Sequence, residues 1–130
     1  MERQNVTTGI PWETQVGYSR AVRIGSHVWV SGTTATDGTG RFVNGDAYTQ
    51  TAQSLKNIGA ALQQVGASFE DVVRTHIFVT DINHWEAVGR AHGEVLGDIR
   101  PATAMIEVAA LIAPEILVEI EADAFIQEGV

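Results

Sequence analysis

Apolar and polar positions alternate almost without a break along ILVEIEADAFI, residues 116–126. Read as a strand, this stretch places Val118, Ile120, Ala122 and Ala124 on one face and Glu119, Glu121 and Asp123 on the other. Three carboxylates then stand in a row within about 14 Å, at ~3.3 Å of rise per residue. Residues 72–80, rich in Val, Thr, Ile and Phe, also read as a strand, with Arg74, His76 and Phe78 on one side. Residues 102–111 read as another, with Thr103, Met105 and Glu107 on one side. Residues 20–24 and 27–31 are short strands around the turn Gly25-Ser26. Two segments change period. From Asp46, a candidate cap, Ala52, Leu55, Ile58, Leu62 and Val65 recur by threes and fours until Gly66. Trp85, Val88, His92 and Leu96 form a second helical stripe ending near Gly97, and Pro101 stops any continuation.

Strands, helix, strand, helix, two strands is the order of an α+β sandwich, one sheet with both helices on one face. The other face mixes apolar and charged side chains. That mixture suggests packing against another subunit more than bare solvent, although antiparallel sheets do leave one face wet.

Composition narrows the class. The 130 residues suit a single domain, 1–130, and 45% hydrophobic with 18% charged residues describes an ordinary globular chain. Sixteen acids face eight bases, Lys56 is the only lysine, and the net charge is −8. Such a chain repels nucleic acid and anionic membranes. Cysteine is absent, which excludes disulfides and thiolate chemistry. With no bilayer-length apolar run and no secretory leader, the expected location is cytoplasmic.

The candidate chemistry is sparse. SGTTATDGTG, residues 31–40, lacks both the GK[ST] ending of a phosphate loop and the GxGxxG spacing, and reads as a hairpin loop. His84 and His92 lie about 12 Å apart along a helix and cannot share a metal. His92 reads as a hydrogen-bonded packing histidine, and His76 as the partner of a nearby carboxylate. No serine sits in a G-x-S-x-G context. The carboxylates of the last strand are spaced for acid–base work on a sugar, but any strand of alternating acids has that spacing. No metal or cofactor is called for. On residues alone, this is an acidic domain with a polar sheet face and no evident catalytic set.

Six segments in register add to that reading: GYSRAV (17–22), VWVSG (28–32), the long helix ending in VGAS, DVVRTHIFVTDINHWEAV (71–88), RPATAMIEVAAL (100–111) and LVEIEADAF (117–125). Together they resemble the Rid proteins, the YjgF/YER057c/UK114 or endoribonuclease L-PSP-like family, which includes small enamine/imine deaminases. The resemblance implies a chorismate-mutase-like sandwich, with one six-stranded mixed sheet and two helices on one face. It also implies a homotrimer with a central barrel and small-molecule clefts between subunits. Carried over by position, Glu119 would orient the attacking water, and Tyr18, Gly32, Thr33, Thr103, Met105 and Arg100 would line the cleft.

One position departs from the deaminases. Thr103 stands where their substrate-binding arginine is expected. Trading a bidentate guanidinium for one hydroxyl costs about 2–5 kcal/mol of carboxylate binding, roughly 30-fold to several thousand-fold. Three readings follow: a cleft for a neutral, cationic or amine-bearing ligand, with any chemistry a hydrolysis at Glu119; a non-enzymatic binding or regulatory module; or an imine deaminase in which Arg20, Arg74 or Arg100 replaces the missing arginine.

Overall fold

The computed structural model describes residues 2–127. Its elements run β1 (Arg3–Val6), α1 (Pro11–Val16), β2 (Ala21–Ile24), β3 (His27–Thr33), α2 (Ala47–Gln64), β4 (Val72–Val79), α3 (Trp85–Leu96), β5 (Ala102–Glu107) and β6 (Val118–Phe125). The six strands form one mixed sheet in the order β1-β2-β3-β6-β4-β5, with only the β4–β5 pair parallel. This is the expected α+β sandwich.

The helices start and stop where local chemistry dictates. The Asp46 carboxylate accepts the Thr49 N–H at 2.8 Å and fills one of the orphan donors at the start of α2. Past the other end, Gly66 has φ +80°, a conformation glycine adopts without a Cβ clash. Leu55, Ile58 and Leu62 of α2, with Val88 and Leu96 of α3, pack on Val28, Val30, Ile77, Val79, Val118 and Ile120 of the sheet. Each such side chain, fully buried, contributes about 1.5–3 kcal/mol. Trp85 is not part of this stripe; it is 56% exposed. It is the first residue of α3, and side chains there tilt toward the N-terminus and off the packed turns.

The face assignment of β6 holds: Val118, Ile120, Ala122 and Ala124 are buried, and Glu119, Glu121 and Asp123 are half-buried on the outer face. That of β5 is reversed. Thr103 pairs with Thr75 and Met105 with Ile77, and both partners are buried toward the helices. Paired residues share a face, so Thr103 and Met105 lie on the helix side, where Met105 packs against the core. The outer face of β5 is instead Ala102, Ala104 and Ile106. The strand also ends at Glu107, short of residue 111, and the Glu107 carboxylate accepts the Ile82 N–H at 2.9 Å.

Three features shape the region around Glu119. The β3–β6 ladder changes register between Val30 and Thr33, a bulge that contains Gly32. Gln50 of α2, fully buried, donates to Gly45 O and Glu115 O at 2.9 and 3.0 Å and accepts the Leu117 N–H at 2.8 Å. It ties the entry of β6 to the helix layer. Asn57, two turns further along α2, donates to Thr34 O and Thr36 O at 3.1 and 2.9 Å and holds the loop after β3.

Candidate functional site

Glu119 leaves β6 on the outer face, opposite Phe78 of β4. On its β3 side the bulge brings Gly32 beside it. A Cβ at position 32 would lie 2.1 Å from Glu119 Oε2, so the carboxylate occupies the space a side chain would fill. Its oxygens accept no hydrogen bond from a described residue. Burial raises its pKa above the ordinary glutamate range; the Arg20 guanidinium pulls it back and the Glu121 carboxylate adds to the rise. A bare, half-buried carboxylate of this kind is a proton acceptor with raised basicity.

Arg20 follows from the same local geometry. Its guanidinium donates to Gly32 O at 2.6 Å and lies 5.5 Å from the centre of the Tyr18 ring, within range of a cation–π contact. Its Nε is buried without a partner among the described residues. Tyr18 itself is set by the end of α1. Gly17, at φ +86°, reverses the chain, and the Gly17 and Tyr18 N–H groups both donate to Glu13 O. The buried Glu13 carboxylate accepts the N–H and hydroxyl of Thr8 at 3.0 and 2.5 Å, which clasps α1 to the segment before it.

Tyr18, Arg20, Gly32, Thr33 and Glu119 line one open cavity of about 710 Å³. Four of these were expected as site residues. Arg20 was one of three candidate substitutes for the deaminase arginine, and it is the only cation among the described residues of the lining. Asp37 and Glu115 lie on the same lining, so acids outnumber bases there.

Three expected residues lie elsewhere in the chain. The Thr103 hydroxyl is 2.8 Å from that of Thr75, which in turn is 2.9 Å from His92 Nε2. Thr103 also donates to Pro101 O at 3.1 Å. Met105 belongs to the core margin. Arg100 is exposed with φ +57°, its N–H bonded to Leu96 O, so it serves the turn out of α3. All three sit on or beside β5, the sheet edge, separated from β6 by β4. Arg74 is exposed on the outer face. The two expected histidine roles are met: His92 is a packing histidine bonded to Thr75, and His76 Nδ1 is 2.9 Å from Glu121 Oε1. Among the described residues, no group of three or more His, Asp or Glu is placed to hold a metal ion, and no helix is long and apolar enough to cross a membrane.

Gln50 and Glu13 escaped the sequence reading. Neither type has a motif: Gln50 precedes the apolar stripe and shares the buried face of α2 with Thr51 and Ser54, and the signal for Glu13 was a Pro-led acidic turn.

The model of the endoribonuclease L-PSP family matches residues 11–126. Similarity also extends to the crystal structure of a member of the YjgF/YER057c/UK114 family from Mycobacterium tuberculosis. That chain is 51% identical, with a TM-score of 0.89 over 96% of this chain and 100% of that one. An uncharacterized protein of Streptomyces coelicolor is 36% identical over 122 residues, 94% of this chain and 91% of its own length. The human 2-iminobutanoate/2-iminopropanoate deaminase is 34% identical over 95 residues, 72% of this chain and 69% of its own length.

Proposed function

The chain belongs to the endoribonuclease L-PSP family, the YjgF/YER057c/UK114 or Rid proteins, and on that footing we propose that it hydrolyses the C=N bond of a small neutral or cationic imine. The observation that carries this reading is the Glu119 carboxylate, half-buried and unbonded against Gly32 in an open cavity. Water attacks the imine carbon as its proton passes to Glu119, and the C=N electron pair moves to nitrogen. The carboxyl returns the proton to nitrogen, giving a carbinolamine. The carbinolamine hydroxyl then loses its proton through the same carboxylate to nitrogen, the C–N bond breaks with its electron pair, and ammonia leaves a carbonyl product. The raised pKa of Glu119 suits a group that must take and return a proton.

The electrostatics support the choice of substrate. Three acids and one arginine line the cavity, and that arginine is already engaged with Gly32 O and Tyr18. A carboxylate or a phosphate meets repulsion there, which argues against RNA as well as against anionic imino acids. A second reading is favoured by one observation: the Arg20 side chain lines the same cavity as Glu119 and could take a substrate carboxylate itself.

Assembly is the other half of the proposal. The outer face carries Trp29, Phe125 and Ile106, all more than 40% exposed, beside the Glu121–His76 pair. A homotrimer with this face turned inward would cover them, and Thr103, Met105 and Arg100 on the β5 edge would then approach a neighbour's cavity. Light scattering on the purified protein tests this, and a monomer overturns it. For the chemistry, the native protein, Glu119→Gln and Arg20→Met are compared on 2-iminopropanoate and on propan-1-imine generated in situ. Turnover of the neutral imine that vanishes in Glu119→Gln supports the proposal. Faster turnover of 2-iminopropanoate that needs Arg20 installs the second reading. No turnover of either removes the chemistry.

A further inference from the structure

Resting on that cavity reading, a second property of the lining identifies the kind of molecule it takes. Six of the nine exposed large apolar side chains among the described residues gather in two places. Trp29, Ile106 and Phe125 lie on the outer sheet face, whereas Trp12, Val16 and Ile112 line the cavity, at 50%, 70% and 71% exposure. Ile10 and Phe42 extend this second group along the same wall. Such a set is costly to leave in water unless something covers it.

Its construction is specific. Trp12 and Val16 are four residues apart on α1 and so share one helix face. That short helix would not hold by itself; it is fixed by the buried Glu13–Thr8 clasp and the left-handed Gly17. Ile10 is braced from the other side by the loop at Gly40, where an added Cβ would sit 3.4 Å from Ile10 Cγ1. Ile112 comes from the loop that precedes β6, whose far end Gln50 anchors. Two independently anchored segments therefore present apolar side chains around one space.

Volume supplies the second observation. A cavity of about 710 Å³ falls among sites for drug-sized ligands, roughly 300–1,000 Å³. A three- or four-carbon imine would fill only the end at Glu119, Arg20, Tyr18 and Gly32. We infer that the ligand is amphipathic, a small amine- or imine-bearing head at Glu119 joined to an apolar tail that lies against Trp12, Val16 and Ile112. The head supplies the chemistry and the tail supplies the discrimination. Polar metabolites with the same head and no tail are then poor ligands.

Binding of n-alkylamines to the native protein tests this, since a protonated amine stands in for the imine nitrogen. Ethylamine, butylamine and hexylamine are titrated by calorimetry against the native protein, Trp12→Ala, Ile112→Ala and a control, Trp85→Ala, which is exposed and outside the cavity. Burying a methylene gives about fourfold in affinity, so hexylamine should bind about fifteen times more tightly than butylamine. That gain should shrink to about threefold in Trp12→Ala and in Ile112→Ala and persist in Trp85→Ala. Native affinities that bind all three amines without regard to length overturn the tail and leave the head site standing; so would a second copy of the chain seated on Trp12 and Ile112. A length-dependent gain that survives both substitutions overturns the assigned residues. Failure of every amine to bind removes the head site, and the tail with it.

Discussion

Replacing Gly32 with alanine separates the position of one carboxylate from the rest of the fold. The added Cβ would lie 2.1 Å from Glu119 Oε2 and 3.0 Å from its Cδ, against about 3.3–3.6 Å for an unstrained carbon–oxygen contact. The carboxylate must therefore retreat by about 1 Å or more, and a displacement of that size costs about 100-fold in rate when the group must meet a bound substrate. Stability should barely move. Gly32 is not among the glycines at positive φ, so alanine fits the backbone. Alanine in a strand gains about 0.5–1 kcal/mol over glycine, which offsets about 0.5–1.5 kcal/mol for a glutamate pushed off its rotamer. The melting temperature should stay within about 5 °C of native. In the neutral-imine assay, kcat should fall about 100-fold, and Gly32→Ala combined with Glu119→Gln should be no slower than Glu119→Gln alone. A folded Gly32→Ala protein that keeps a third or more of native kcat would refute the reasoning, since the carboxylate's seat would then have no bearing on the chemistry.

Four further outcomes are expected. Burial raises the Glu119 pKa, so the folded chain holds that proton to higher pH than the unfolded chain and loses stability as pH rises through the folded value; Glu119→Gln should melt above native at neutral pH, with the gap closing near about pH 3. His92 is shifted the other way by burial, so its contribution is complete above the unfolded value of about 6.5 and declines as pH falls below it, and His92→Gln should flatten that part of the stability profile in urea titrations. Thr75→Val removes the hydroxyl that joins His92 to Thr103 and should cost about 1–3 kcal/mol by chemical denaturation. Gln50→Leu strands Gly45 O, Glu115 O and the Leu117 N–H and should cost about 3 kcal/mol, with amide exchange at Leu117 speeding up ahead of global unfolding.

What could be read from the sequence was whatever a single element decides for itself. The 118–125 alternation, the Asp46 cap and the Gly66 stop all depend on neighbours within one strand or one helix, and the structure has them as read; His92 was legible from its helical stripe, although its partner Thr75 comes from β4. What depends on pairing was hidden. The side of the sheet taken by Thr103 and Met105 is set by the parallel register with Thr75 and Ile77, and nothing in residues 102–107 encodes that partner. β1 has the sequence RQNV and becomes a strand through its pairing with β2, without the β-branched alternation that marks a strand locally. Of the site, the resemblance gave Glu119, Tyr18, Gly32 and Thr33, which converge in one cavity. The bulge that seats Glu119 on Gly32 is a tertiary fact with no local signature, and the Glu13–Thr8 clasp beside Trp12 left only a Pro-led acidic turn as its trace.

The register change in β3 has a consequence for length rather than for residue type. Before it, even positions face the core, as Val28 and Val30 do; after it, odd positions do, as Thr33 and Ala35 show at 3% and 0% exposure. The extra residue works as a phase shift between two otherwise regular stretches. Removing one residue from the pair 31–32 would restore an unbroken ladder and keep Thr33 facing inward opposite Ile120, while removing both would turn Thr33 outward and rotate the loop that Asn57 holds. In this stretch a double deletion should be worse than a single one, and a change of side chain milder than either, a pattern that a deletion scan across residues 30–34 would show.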